Sequence, residues 1–267
     1  STHPWLADHA VGETVLLPGA ALVELAVRAG DQAGAPVLEE LIAESPLVLP
    51  GTGPLRLRVE VGPPDGQGRR AVSVYSGPDA ALDPHGADLD DWQCHATGVL
   101  APQSGAPADL GLAAWPPEDA EPVDVTDLYP GLHDRGYGYG PVFQGLRAAW
   151  RRGGEVFAEV ALAEEQWPDA ARCGVHPALL DAAQHTGFLL VGDGPGEVGL
   201  PFAWNGVELH ASGATALRVR LGPAEGGGVS LAAADDTGAP VLTVASLVSR
   251  PVVAGSLGVP APAGETE

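Results

Sequence analysis

No methionine and no lysine occur in this sequence, and all 13 of its basic residues are arginine. A chain without methionine carries no initiating residue, so we expect a piece of a longer polypeptide, opening at Ser1 just ahead of His3-Pro4-Trp5-Leu6. Positive charge is scarce against 35 acidic residues, and the formal net charge is −22. A field of that sign repels phosphate backbones and anionic lipid headgroups, which argues against nucleic acid and membrane surfaces as partners. Only Cys94 and Cys173 are present, with no Cys-x-x-Cys pair, so no disulfide framework is expected. Cys94 precedes His95, but no second ligand pair follows at zinc-site spacing, and no metal is expected. No run approaches the roughly 18 apolar residues of a membrane span, and the start lacks the regions of a signal peptide. A soluble, cytoplasmic segment is the expectation.

What is present is turn-rich and globular: 45% hydrophobic residues together with 37 glycines and 26 prolines. The length of 267 residues exceeds the usual domain size of about 100–150, which leaves one large domain or two small ones. Helical spacing of Leu22, Leu25, Ala26 and Ala29 after Pro18-Gly19 predicts a helix over Ala20–Ala29. A second helix is predicted over Pro177–Leu190, apolar on nearly all sides and hence buried. Two-residue alternation predicts strands at Leu55–Val61 and Leu217–Leu221, each with one solvated face, and further strands at Ala71–Ser76, Trp92–Leu100, Glu155–Leu162, Val229–Ala233 and Val241–Val248. Antiparallel sheet follows from that alternation. Residues 101–123, rich in Pro, Ala, Asp and Glu, are the linker candidate. They divide the chain into residues 1–100 and 124–255, with a tail at 256–267; each half has a buried helix near its start followed by strands.

Three segments carry chemistry. The first runs from His9 to Gly19, where a histidine precedes a short strand and a helix start; its intrinsic pKa near neutrality suits a base, although a histidine satisfied by a turn is the commoner case. The second, Gly136-Tyr137-Gly138-Tyr139-Gly140-Pro141-Val142-Phe143, combines glycines that allow close backbone approach with aromatic walls and hydroxyl donors. In the third, Asp181-Ala182-Ala183-Gln184-His185, a carboxylate sits on a buried helix, where it must be paired or functional. Gln184 and His185 fall on its face, three and four residues on.

These segments resemble the successive signatures HxxxGxxxxP, GYxYGPxF and DxxxQ or DxxxH of polyketide synthase dehydratase domains. The likeness takes in Trp5–His9 (WLADH), His176–Asp181 (HPALLD) and Leu200-Pro201-Phe202, and so spans nearly the whole chain. One position departs: Glu13 stands where the first signature has glycine, with Gly12 just before it. A backbone angle that needs glycine would be strained there, and a carboxylate near His9 would raise its pKa.

The resemblance implies an α+β double hotdog, two antiparallel sheets each wrapped around a central helix, with the active site between the halves. It implies loss of water from a 3-hydroxyacyl thioester on the phosphopantetheine of an acyl carrier protein, with no cofactor bound directly. His9 is then the base at C2 and Asp181 the acid at the 3-hydroxyl, its pKa raised by the apolar helix. His185, Tyr139, Gly140, Pro141, Phe143, Pro18 and Gly19 are the substrate-binding candidates, Gly19 through the N–H groups of a helix start. The remaining histidines, His3, His85, His95, His133, His176 and His210, are read as structural or surface residues, with His176 holding the turn before the second helix. The implied partners are the carrier protein, neighbouring synthase domains and a second copy in a homodimer. Arg151-Arg152 is a candidate basic patch for the carrier. A double-bond isomerase or heterocycle-forming relative, and an inactive structural domain, are the alternatives.

Overall fold

The computed structural model describes residues 3–51, 54–77, 92–102, 108–190 and 198–252. The tail call at 256–267 and His85 lie outside them. After a 3₁₀ turn at Pro4–Asp8 come β1 (His9–Val11), β2 (Thr14–Val15), α1 (Gly19–Ala33), β3 (Val37–Ala43), β4 (Arg56–Val61), β5 (Arg70–Gly77), β6 (Gln93–Ala101) and β7 (Glu121–Val123). The second half continues with α2 (Leu128–Asp134), β8 (Tyr137–Tyr139), β9 (Leu146–Arg152), β10 (Glu155–Ala161), α3 (Trp167–Ala170), α4 (Pro177–His185), β11 (Val198–Leu209), β12 (Ala216–Pro223), β13 (Val229–Ala234) and β14 (Pro240–Val252). No helix among the described residues is long and apolar enough to cross a membrane.

Two antiparallel sheets form, ordered β4-β5-β6-β3 around α1 and β11-β14-β13-β12-β10-β9-β7 around α4. They meet edge to edge along β3 and β11, where Leu41 faces Trp204 and Ile42 faces Ala203, so hydrogen bonding runs unbroken through eleven strands. The two helices pack on each other inside the curve. This is the double hotdog. Joining the edges also covers two strands that would otherwise expose unpaired N–H and C=O groups.

Helix α1 begins where Pro18 holds an extended backbone (φ −63°, ψ 145°) and ends at Gly34 in the left-handed region (φ 71°), whose N–H bonds back to the carbonyls of Gly30 and Asp31. It thus runs four residues past the apolar periodicity, because the glycine cap and not the last buried residue stops it. Its inner face of Leu22, Val23, Ala26 and Val27 is buried against the first sheet, and the buried carboxylate of Glu24 accepts from the Gly174 and Val175 N–H groups, both at 2.9 Å. That contact ties the first half to the loop ahead of α4. Burial raises the Glu24 pKa, and the two N–H donors and Arg28 work against that rise.

Helix α4 starts at Pro177, as expected, but turns to 3₁₀ geometry over Thr186–Leu189. His176 holds its start: the ring Nδ1 accepts from the Ala178 N–H at 3.2 Å, and burial lowers its pKa to about 4, which keeps the ring a neutral acceptor.

The linker expectation needs correcting. Within residues 108–123, Leu112 is fully buried and Leu110 nearly so, against Phe157, Ala232 and Ala234, and the Trp115 indole N–H donates to Glu159 at 2.7 Å. Phe157 points to the outer face of the second sheet while its neighbours Val156 and Ala158 face α4, so this segment covers a second apolar surface. Its last three residues pair with β9 as β7.

Two strand readings change as well. Leu57 was expected on a covered face but is 41% exposed, because β4 is the free edge of the first sheet. Strand β3 was not expected, since Glu39-Glu40 breaks the alternation of VLEELIA; a bulge between Leu38 and Glu40 restores it and turns both Leu38 and Leu41 inward.

Candidate functional site

The small sheet β2-β1-β8 brings the first two signatures together. His9 pairs with Tyr139 and Val11 with Tyr137, so the histidine and the tyrosine-glycine strand share one ladder. Gly12 carries the left-handed backbone at the β1–β2 turn (φ 57°), and Glu13 does not. The demand for glycine is met one residue earlier than the signature has it. Glu13 is exposed and is not among the groups acting on the His9 pKa.

His9 is nearly closed off from solvent, and its Nδ1–H donates to the Leu16 carbonyl at 2.9 Å. A carbonyl only accepts, so the proton sits on Nδ1 and Nε2 is the bare, basic nitrogen. Nε2 points to Asp181 Oδ2, 3.9 Å away. Burial lowers the His9 pKa, opposed by the Asp181 charge, and the ring is neutral near pH 7. Phe143, fully buried, supports the ring from one side at 5.2 Å between centroids, and Tyr139 lies at 5.7 Å.

Asp181 is buried on α4 and bonded to His185 Nε2 at 2.9 Å. Burial pushes this carboxyl up, the direction expected of an acid on an apolar helix. The charge and hydrogen bond of His185, with a smaller pull from His9 once that ring is protonated, work the other way and prevail, so the carboxyl is held below its ordinary range. Asp181 is therefore a carboxylate accepting from His185. On its far side, His185 Nδ1 lies 3.3 Å from the Tyr129 hydroxyl, whose oxygen accepts from the Leu146 N–H at 3.0 Å. Burial raises the Tyr129 pKa to about 12, so its hydroxyl keeps its proton.

These groups open onto a cavity of about 590 Å3 between the halves, lined by Leu17, Gly19, Leu22 and Leu47 from the first half and by Tyr137, Tyr139, Gln184, Phe188 and Leu200 from the second, with Arg135 and Arg250 also in its wall. Of the expected substrate-binding residues, Tyr139, His185 and Gly19 line it. Pro18, Gly140, Pro141 and Phe143 do not; they shape the wall from behind. Gly140 donates its N–H to the Asp8 carbonyl at 2.7 Å, and a Cβ there would lie 2.5 Å from the Asp8 carboxyl carbon. Asp8 also accepts from the Val142 N–H at 3.0 Å, which fastens the second signature to the first. Sequence reasoning missed Asp8, Glu24 and Tyr129. Asp8 lies inside the WLADH run, but Tyr129 has no signature of its own.

The sequence and the fold have counterparts among known proteins. The family model described as polyketide synthase dehydratase domain matches residues 1–77, and that described as polyketide synthase dehydratase N-terminal domain matches residues 107–258, more than half of the chain. The chain belongs to the polyketide synthase dehydratase family. Over 265 residues it is 55% identical to the polyketide synthase GfsA of Streptomyces halstedii, covering 96% of this dehydratase chain and 3% of that protein. A dehydratase structure from the borrelidin and fluvirucin polyketide synthases superposes with a TM-score of 0.84 at 52% identity, over 94% of this chain and 85% of that one. The dehydratase domain from the terminal module of the rifamycin synthase gives 0.84 at 50% identity, over 94% and 87%. This dehydratase chain thus spans a small part of the curated synthases it matches and most of the isolated dehydratase domains.

Of the expected basic patch, Arg151 donates to the Leu189 carbonyl, while Arg152 lies 3.7 Å from Glu155 and over the Phe157 ring at 4.9 Å. Both remain exposed at their outer edges.

Proposed function

We propose that this domain removes water from a 3-hydroxyacyl thioester carried on the phosphopantetheine arm of an acyl carrier protein, leaving the 2,3-unsaturated thioester. The observation that carries the reading is the bare Nε2 of His9 facing the Asp181–His185 pair in the wall of one cavity. Elimination needs a base and an acid on neighbouring carbons, in opposite protonation states.

Neutral His9 takes the C2 proton. The N–H groups at the start of α1, open to the cavity at Gly19, receive the charge that develops on the thioester oxygen, aided by the helix dipole. The acid proton is held by the hydrogen-bonded Asp181–His185 pair and passes from Asp181 to the 3-hydroxyl as the C3–O bond breaks. Water leaves. His9 then carries one proton more and the pair one fewer, and transfer from Nε2 to Asp181 restores both.

The domain acts beside its carrier within a longer synthase. Carrier proteins of this family are generally acidic, as this chain is, so tethering and not long-range attraction raises their local concentration. The test is mass spectrometry of a synthetic 3-hydroxyacyl thioester after incubation. Loss of water with the intact domain, and a drop of about 100-fold or more in His9→Ala and Asp181→Asn, is expected. A product of unchanged mass, or full activity in either variant, overturns the reading.

A further inference from the structure

Arg135 is a cation of the cavity wall that the mechanism leaves unused. It lies between α2 and β8 with its guanidinium carbon 5.6 Å from the Phe188 ring centre and 6.0 Å from that of Tyr137, and it lines the same cavity as His9 and Asp181. Its buried Nε has no hydrogen-bond partner, and among the described residues no carboxylate forms an ion pair with it. In a chain with 35 acidic and 13 basic residues, a half-buried arginine that lies against two rings and forms no ion pair among the described residues is out of keeping with the composition. The rings flank the guanidinium, and its buried Nε–H is left to be satisfied by something that enters the cavity.

Its position along the cavity follows from α4. Asp181, His185 and Phe188 stand at helical spacing on one face, and the seven residues from Asp181 to Phe188 advance the chain about 10 Å. Arg135 is therefore about two helical turns from the reacting hydroxyl. That distance suits a group some carbons removed from C3, and the phosphate at the far end of a pantetheine arm lies well beyond it.

We propose that Arg135 is a specificity-determining residue, whose guanidinium binds an oxygen acceptor of the thioester substrate outside carbons 1–3, carried by the acyl chain or by an amide carbonyl of the pantetheine arm. The inference rests on the thioester-dehydratase reading. A site with donors already in place favours a ligand that supplies the acceptor over one that leaves the donors unpaired, by roughly 10-fold or more.

The experiment compares the intact domain with Arg135→Met, which keeps length and loses the donors, and with Arg135→Lys, which keeps a point charge without the fork. Two ligand pairs are used: N-acetylcysteamine thioesters of one 3-hydroxyacyl chain with and without a distal keto oxygen, and one acyl chain on butane-1-thiol, which has no amide carbonyl, against the same chain on pantetheine. Both pairs are also titrated as unreactive amide analogues, so that Kd ratios are read whether or not water is lost. We expect a preference of about 10-fold or more for the oxygen-bearing member of one pair, abolished in Arg135→Met and partly kept in Arg135→Lys. An effect in the first pair assigns the acyl chain, and one in the second the pantetheine arm. Equal Kd ratios in the intact domain and Arg135→Met for both pairs overturn the inference. Failure of the intact domain to release water counts against the dehydratase reading alone.

Discussion

His9 Nε2 and Asp181 Oδ2 stand 3.9 Å apart, the imidazole on the first strand of one hotdog and the carboxylate on the central helix of the other. That gap is too long for a direct hydrogen bond and short enough for one hydroxyl group to contact both. It makes the activity a property of the joined halves, and four predictions follow the contacts that hold it.

The acid limb of the pH profile reports His9. Burial lowers its pKa below 6.5, so the fraction of free base falls only as pH drops through that lowered value. In kcat/KM measured from pH 5 to 8, most activity is expected to survive at pH 6.5, with the decline below it. A midpoint at or above 6.5 would show that burial does not control the ring.

Tyr129→Phe removes the hydroxyl that meets His185 Nδ1 and accepts from the Leu146 N–H. One lost hydrogen bond at the pair, worth about 1 kcal/mol, lowers kcat roughly 5- to 10-fold with little change in KM. The orphaned Leu146 donor costs a further 1–3 kcal/mol or so in urea unfolding. A change in stability with kcat unaltered would confine Tyr129 to the fold.

Glu24→Ala leaves the Gly174 and Val175 N–H groups without an acceptor in a buried place. A loss of about 2–4 kcal/mol is expected, and Glu24→Gln, which keeps one carbonyl oxygen, should lose about half of it. Urea denaturation checks the order. Equal stability of both variants with the parent would mean that the loop before α4 finds other partners.

Gly12→Ala places a side chain on a left-handed backbone and should cost about 1 kcal/mol or more, whereas Glu13→Gly, at an exposed position without positive φ, should change stability by under about 0.5 kcal/mol. Thermal unfolding of the two variants separates them. The reverse order would return the glycine requirement to position 13.

Much of the site was legible in the chain because its parts are local. Gly136–Phe143 and Asp181–His185 carry their residue types at fixed spacing, and the apolar run from Pro177 identifies the buried helix without reference to anything distant. The readings that failed are those where a neighbour decides. Glu39-Glu40 hides β3 because a bulge repairs the alternation only against β6, and residues 108–123 look like a spacer because the apolar face they cover belongs to strands further along the chain. Tyr129 acts through a partner 56 residues away, a distance at which no spacing rule operates.

The protonation of Asp181 marks the same boundary. The sequence by itself determined that a carboxylate lies on an apolar helix with His185 on its face, and that His9 precedes a helix start. Only the tertiary structure decided what those groups do to one another. Burial alone would raise the Asp181 pKa, but the fold brings His185 to 2.9 Å, and its attraction and hydrogen bond in a low-dielectric interior outweigh the desolvation that the helix predicts.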